Sequence, residues 1–442
     1  MLIQLSDHFT YKRLLRFTLP SIMMMIFTSI YGVVDGIFVS NFAGKTSFAA
    51  VNFIMPYLMI LGCFGFMFGT GGSALIARTL GEGDRERANR MFSFLVYFSI
   101  AFGACVAFVG VLLIKPVAAF MGAEGEMLSE CVPYGRIILI ATPAFMLQME
   151  FQSFFITAER PQLGLFVTVA SGVTNMMLDA LLVGLLRGGV EGAAVATAVS
   201  QAVGGFVPLI YFGARNKSLL RLGKAHFDAS TLWRTATNGS SELMSNISMS
   251  LVGMLYNIQL VRYAGEDGVA AYGTLMYVSM IFIAIFIGFA VGSAPVISFH
   301  FGAENHSELQ SLLRKSLVII GVASVLMVLL GECLAMPLSL LFAGYDAELY
   351  SLTLRGFYVY SVSFLFSGVA IYGSSFFTAL NNGPVSAAIS FLRTLVFQIA
   401  AVMLLPLIFD VDGIWFSIIV AELMATAVTV IFLVGMRKKY HY

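Results

Sequence analysis

Long apolar stretches, separated by short polar ones, follow one another from residue 14 to residue 436. They are continuous rather than alternating, and each is long enough for a helix of about 20 residues to cross a bilayer. A transmembrane β-barrel would instead alternate apolar and polar residues. Twelve spanning helices are predicted, at 14–40, 48–77, 91–114, 131–157, 162–186, 190–213, 236–261, 268–299, 311–332, 350–379, 384–409 and 413–436.

Composition agrees with an all-α polytopic membrane protein. Of the 442 residues 59% are hydrophobic and 11% charged, against about 25% charged in soluble domains. The net charge of +1 indicates no nucleic-acid partner. The four cysteines lack metal or disulfide spacing, and no phosphate loop, HExxH or GxSxG motif occurs. An enzyme, an ATP-driven pump and a cofactor are therefore not expected.

Lysine and arginine residues predict the orientation. With the N-terminus in the cytoplasm, eighteen of the 25 fall on or near the inner side and six on or near the outer side. Because loops rich in Lys and Arg stay inside, we expect a multi-pass protein of the plasma (inner) membrane with both termini cytoplasmic.

The sequence repeats itself at an offset of 221 residues. "NFAGKTSFAAVNFIMPYLMI" (41–60) aligns with "RYAGEDGVAAYGTLMYVSMI" (262–281) at seven identities in twenty. The same offset relates glycines throughout both halves. Six helices per half make the repeat parallel, with its axis along the membrane normal. We expect a first lobe over 1–213, a basic linker over 214–235 and a second lobe over 236–442.

Two acidic residues without a cationic partner lie in the first half. Asp35 is about 8 Å and Asp179 about 10 Å below the same membrane edge by helix rise. Asn175, Thr197 and Tyr134 fall at a similar depth. Paired carboxylates at close range must hold a proton or bind a cation. The competing interpretation is that such groups only join helices.

The second half lacks this polar set. At offset 221, Asp35 corresponds to Tyr256 and Asp179 to Ala400. The presence of this polar set in only one half favours a specialised site for a coupling ion. Other polar groups in the spans are candidates for a substrate cavity, since ionisable residues inside a membrane are functional candidates by default: Glu150, Gln152, Glu242, Tyr256, Arg393 and Glu422. Arg393 is expected to pair with Glu422 or Glu150, or to contact substrate.

The chain resembles the multidrug and toxic compound extrusion (MATE) family, in its DinF-like prokaryotic branch. The resemblance rests on "LP" (19–20), "YGVVDGIFVS", "GTGGSALIARTLGEGDRERANR", "NMMLD" and "EGAAVATAVSQ", and it covers nearly the whole chain. It implies a V-shaped pair of six-helix bundles and a monomer that exports organic cations in exchange for H⁺ or Na⁺.

By motif, the resemblance implies that Asp35, Asn175, Asp179 and Thr197 form the ion site with Tyr134 alongside. Asp35 and Asp179 would be the metal ligands if the ion is sodium. Pro20 matches a proline where the first helix bends in some members. The chain departs from the family at Gln152, at Glu150 and in "ITAERPQ" (156–162).

Two other functions stay open. A flippase for lipid-linked saccharides would require a strongly cationic cavity to hold pyrophosphate, whereas these spans carry several acids. A channel or a non-transporting membrane scaffold belongs to a different class, and only a channel would conduct ions.

Overall fold

The computed structural model describes residues 3–43, 45–344 and 346–442, and its regular elements there are helices. The α-helices are α1 (Tyr11–Phe38), α2 (Lys45–Gly62), α3 (Phe64–Gly81), α4 (Arg85–Phe120), α5 (Gly125–Ile140), α6 (Thr142–Thr157), α7 (Pro161–Leu178), α8 (Gly189–Gly213), α9 (Ala229–Gly302), α10 (His306–Ala343), α11 (Ala347–Ser361), α12 (Phe364–Ala379), α13 (Gly383–Phe391), α14 (Phe397–Leu404) and α15 (Pro406–Tyr440). Three π-helical segments, Val39–Ala43, Asp179–Leu185 and Leu392–Val396, adjoin them.

The helices overlap all twelve predicted spans. In the described ranges nine helical stretches are long and apolar enough to cross a membrane, or eleven if two bent pairs each count as one span. The bent pairs are α5 with α6, at 54°, and α11 with α12, at 49°. The predicted seventh span is the helical limb of α9 before Gly265, where φ is 64° and the helix breaks. That limb is more polar and is not among the eleven.

The internal repeat is visible in matching turns. Asp84 caps α4 by accepting from the Arg87 N–H, and Asn305, its counterpart at offset 221, caps α10 by accepting from the Glu308 N–H. Asp228 caps α9, and its bonds from the Thr231 hydroxyl and nearby amides hold its pKa below the usual range. These turns lie at the end of the bundle that also carries both chain termini, which we call the basic end.

At the basic end the two halves meet backbone to backbone. A Cβ placed on Gly81 of α3 would collide with the carbonyl oxygen of Phe299 in α9. A Cβ on Gly302 of α9 would collide with the carbonyl oxygen of Arg78 in α3. Each glycine and each carbonyl is the 221-residue counterpart of the other. The contact is therefore isologous, like that of a twofold dimer.

The same relation continues into the bundle. Gly71 of α3 lies against Gly239 of α9, and the counterpart of Gly71, Gly292, lies against Thr18 of α1. Thr18 and Gly239 are themselves counterparts. Five glycines, at 71, 81, 239, 292 and 302, thus let α1, α3 and the two limbs of α9 approach more closely than side chains allow.

Some glycines nearer the opposite end have no close neighbour. Nothing lies within 4 Å of a Cβ built on Gly36 of α1, or on Gly253 and Gly273 of α9. The close glycine contacts between the halves lie at the basic end, and the apolar cluster around Tyr134 near the opposite end contains, among the described residues, none from the second half. This is the V shape of the expected fold.

The N-terminal segment ahead of α1 crosses the basic end and contacts both halves. The Leu5 N–H donates to Oε1 of Glu159, between α6 and α7, at 2.6 Å. The Phe9 N–H donates to Oε1 of Glu308, in α10, at 2.9 Å. Leu5 and Phe9 are fully buried and belong to the apolar core of the second half. The segment therefore ties the two halves together where they are closed.

We expect Gly302→Leu to open the basic end. The leucine has no room beside the Arg78 carbonyl, and overpacking costs about 1–3 kcal/mol, so conformers with the two helices apart gain population. Spin labels at Glu86→Cys and Ser307→Cys, exposed counterparts in the two halves, would report a longer distance. Gly253→Leu, placed in open space, is the control. An unchanged distance in the Gly302 variant would contradict the close contact.

Candidate functional site

Two carboxyl groups from different helices come together in the first half. Asp35 is on the last turns of α1, and Asp179 is the first residue after α7. Their side chains lie within hydrogen-bonding reach of each other. Asp179 is fully buried and Asp35 is half-buried. Their proximity agrees with the equal depth expected from the sequence.

Both acids lie at a change of helix type. Asp179 opens the π-helical segment Asp179–Leu185, and the π-helical segment Val39–Ala43 begins four residues after Asp35. A π-turn inserts an extra residue and re-aims the side chains around it, and such turns are frequent at functional sites. The sequence showed the acids but gave no signal of these turns.

Neutral polar groups surround the pair. Tyr134, on α5, is buried and close to both carboxyl groups. The Asn175 amide on α7 donates to the Thr197 hydroxyl of α8 at 3.5 Å. The structure brings all five predicted ion-site residues into one region.

The carboxyl oxygens are not satisfied by neighbouring donors. Among the described residues, both Asp179 oxygens, Oδ1 of Asp35 and Oδ1 of Asn175 are buried without a hydrogen-bond donor. Burying an unpaired carboxylate is strongly unfavourable. Two facing carboxyls can share a proton, because the protonated one becomes a donor. A small cation among these oxygens would have the same effect.

Further residues extend the site, and none of them was predicted as a site residue from the sequence. Tyr31 lies near Asp35, one helical turn before it, and is within reach of the Gln148 side chain on α6. Gln148 donates to the Ser171 hydroxyl at 3.1 Å, and Ser171 donates to the Ser200 carbonyl at 2.7 Å. The four-residue spacing of Tyr31 and Asp35 was the available signal for a shared helix face.

The second half holds a different polar cluster. Arg393 of the π-helical segment Leu392–Val396 donates from Nε to both carboxylate oxygens of Glu422 on α15, at 3.1 and 2.9 Å. Glu242 of α9 is close enough to interact with the same guanidinium. Of the two acids expected as partners of Arg393, the structure pairs it with Glu422. Glu150 is buried in the first half beside Ser99 of α4 instead.

The structure also shows where the remaining predicted residues lie. The Tyr256 hydroxyl donates to Gln398 Oε1 at 2.7 Å, and its ring stacks on Tyr272. Gln152 is buried on α6. Pro20 is also buried and lies inside α1, which continues as a helix through it.

The donor set allows either coupling ion. In the described part of the chain no three His, Cys, Asp or Glu side chains converge on one point. A sodium ion would therefore need the neutral oxygens of Asn175 and Thr197 in addition to the two carboxylates, and hard cations accept such oxygens.

A protein-family model, MatE, matches the chain twice, over residues 20–181 and 243–404. The chain belongs to the MatE family. The expected resemblance is confirmed, and so are the helical two-half fold and the membrane-transport character that it implied. The two matched segments cover most of the chain.

Individual relatives agree with this assignment. The chain is 24% identical over 432 residues to multidrug export protein MepA of Staphylococcus haemolyticus (strain JCSC1435), covering 97% of this chain and 94% of that protein. MepA of Staphylococcus aureus (strain MRSA252) is 24% identical over 417 residues, covering 93% and 91%.

Solved structures share the fold. One described as "Outward-facing conformation of a multidrug resistance MATE family transporter of the MOP superfamily" matches with a TM-score of 0.93 at 21% identity, over 98% of this chain and 97% of that one. Another, described as "Crystal structure of MATE in complex with MaL6", matches with a TM-score of 0.92 at 21% identity, over 98% of both chains. At this identity the likeness concerns the fold alone.

We expect Arg393→Leu to destabilise this MatE protein, because Glu422 is only 3% exposed and would lose its partner. Breaking a buried pair costs about 3–5 kcal/mol, whereas replacing both partners by apolar residues is often neutral. Thermal unfolding in detergent should show a large loss for Arg393→Leu and recovery in Arg393→Leu/Glu422→Leu. Asp412→Asn, which breaks the more exposed Arg355 pair, is the control and should change little. Equal effects of Arg393→Leu and the control would contradict a buried pair.

Proposed function

We propose that this MatE protein is a secondary antiporter that exports organic, mostly cationic, lipophilic compounds in exchange for H⁺ or Na⁺. The observation that carries the proposal is the proximity of the Asp35 and Asp179 side chains, whose buried oxygens lack a hydrogen-bond donor among the described residues. Two such acids are stable in this environment only with a proton or a cation between them. The similarity to the multidrug export proteins MepA supports the choice of drugs as substrates.

The unequal contact of the halves supports alternating access. In the conformation described, the close glycine contacts between the halves lie at the basic end. With the basic end in the cytoplasm, as the Lys and Arg residues indicate, the carboxyl pair faces the outer half of the membrane. An ion that binds one conformation better than the other shifts the equilibrium between them.

The exchange cycle needs only a change in the charge of the carboxyl pair. Uptake of one H⁺ or Na⁺ reduces the negative charge of the pair by one unit and weakens the hold on a bound organic cation, which leaves outward. The protein then returns to the inward-open conformation, where the ion dissociates and a new substrate enters. A membrane potential of about 100 mV contributes about 2.3 kcal/mol per charge moved.

Charge in the second half also fits cationic substrates better than anionic ones. The Arg393 guanidinium is already bound by Glu422, with Glu242 nearby. A flippase for pyrophosphate-linked saccharides would need unpaired cations at this depth. We therefore favour the antiporter, acting as a monomer in the inner membrane.

We expect Asp35→Asn and Asp179→Asn each to abolish ion-driven export, because an asparagine cannot take up and release a cationic charge. Vesicles containing the protein would be given a proton gradient or a sodium gradient separately, and efflux of a fluorescent organic cation would be followed. The gradient that drives efflux in the unmodified protein identifies the coupling ion.

The matched control is Glu124→Gln, an exposed acid outside the site, which should transport normally. Folding of each variant would be checked by its amount in the membrane and its thermal unfolding. Full ion-driven transport by either aspartate variant would contradict the assigned site. Ion conductance without exchange of labelled substrate would instead indicate a channel.

We expect Glu308→Ala to favour the inward-open conformation, because it removes the acceptor of the Phe9 amide and of His8 Nδ1, at 2.6 Å. The N-terminal segment would then lose its hold on the second half. Spin labels at residues 86 and 307 would report more of the population with the basic end apart. Arg314→Gln, an exposed substitution on the same helix, is the control. If the distances stayed unchanged, the segment would not act as a tie.

A further inference from the structure

A large cleft lies at the basic end of the first half, away from the carboxyl pair. Its volume is about 1100 Å³, and its walls come from the start of α1, the turn before α7 and the end of α8. Pro20 borders it and lies fifteen residues before Asp35, or about 22 Å along the helix. The cleft is therefore separate from the proposed ion site.

Four cationic side chains line its mouth: Arg16, Arg160, Arg215 and Lys217. The structure pairs none of these four with an acid among the described residues by a salt bridge. The one acid in the lining, Glu159, accepts the Leu5 amide instead. Burial raises the pKa of Glu159 while the neighbouring Arg160 lowers it, and this single acid can offset at most one of the four positive charges. The mouth thus has an excess of positive charge.

The wall below the mouth is apolar and open to the surroundings. Phe166 of α7 is 69% exposed and Ile210 of α8 is 70% exposed, and both line the cleft together with the buried Phe17. These two exposed side chains belong to helices that cross the membrane. A cationic mouth above an apolar wall matches a headgroup with an attached acyl chain better than a soluble anion.

Helix geometry adds to the attraction. Helix α7 begins at Pro161 inside the cleft lining, so the positive end of its dipole lies at the cleft. Anionic oxygens are favoured at such a position. The four cations attract an anion, and the start of α7 favours one position for its oxygens.

We propose that this cleft binds an anionic phospholipid, with the phosphate at the four cations and an acyl chain along Phe166 and Ile210. The proposal does not depend on the transport reaction, because it concerns lipid binding to the whole protein. The N-terminal segment that joins the two halves passes beside the cleft, since Ile3 and Glu159 belong to the lining. A bound lipid would therefore lie next to the contact that joins the two halves.

The test is binding of phosphatidylglycerol to the full chain in detergent, measured by native mass spectrometry and by the rise in melting temperature. Phosphatidylcholine, glycerol 3-phosphate and inorganic phosphate are the comparison ligands. We expect phosphatidylglycerol to bind more tightly than all three. Arg215→Gln/Lys217→Gln should weaken it about thirtyfold, at about 1 kcal/mol per cation.

The matched control is Arg314→Gln/Lys438→Gln, which removes two exposed cations from the same end outside the cleft. It should bind as the unmodified protein does. Equal weakening by both double variants, or equal binding of phosphatidylcholine, would overturn the proposal. Equal binding of glycerol 3-phosphate would also overturn it, in favour of a soluble anion. Phe166→Ala, which keeps all four cations, should weaken the binding of phosphatidylglycerol and leave the binding of glycerol 3-phosphate and inorganic phosphate unchanged.

Discussion

The close approach of glycine to backbone at the basic end is the constraint on which the rest of the structure depends. Gly81 and Gly302 each lie against a carbonyl of the other half. Such contacts hold α3 and α9 at a distance that no larger residue permits. Because the contact obeys the internal repeat, either half presents the same surface to the other. Closure at one end of two rigid bundles leaves the opposite ends apart, and the carboxyl pair lies toward that open side.

Helix α1 links this contact to the carboxyl pair. Thr18, near its start, lies against Gly292 of the second half, and Asp35, near its end, faces Asp179. The two positions are seventeen residues apart, or about 25 Å along a helix. In the proposed mechanism, a change of charge at Asp35 would alter the packing of α1 against α7, and the same helix forms part of the contact between the halves. A continuous helix would then connect the ion site mechanically to the contact between the halves.

Much of this organisation could be predicted from the sequence, because a membrane imposes strong rules. Apolar length predicted the helices, and the constant offset predicted two equivalent halves. Helix rise alone placed Asp35 and Asp179 at one level. Packing details followed no such rule. The π-turn at Asp179, the partner of Arg393 and the tie from Leu5 to Glu159 depend on which faces meet. The four cations of the cleft are scattered through the sequence, and only folding brings them together.

The two halves share a backbone plan but differ in how their buried acids are balanced. In the second half Glu422 is neutralised internally by Arg393, through two hydrogen bonds. In the first half Asp179 has no cation among the described residues to do the same. An internal partner makes a charge permanent and structural, whereas a missing partner makes its balance depend on the solution. The proposed response to an ion gradient is therefore assigned to the first half, and the contact shared by both halves would carry it across the molecule.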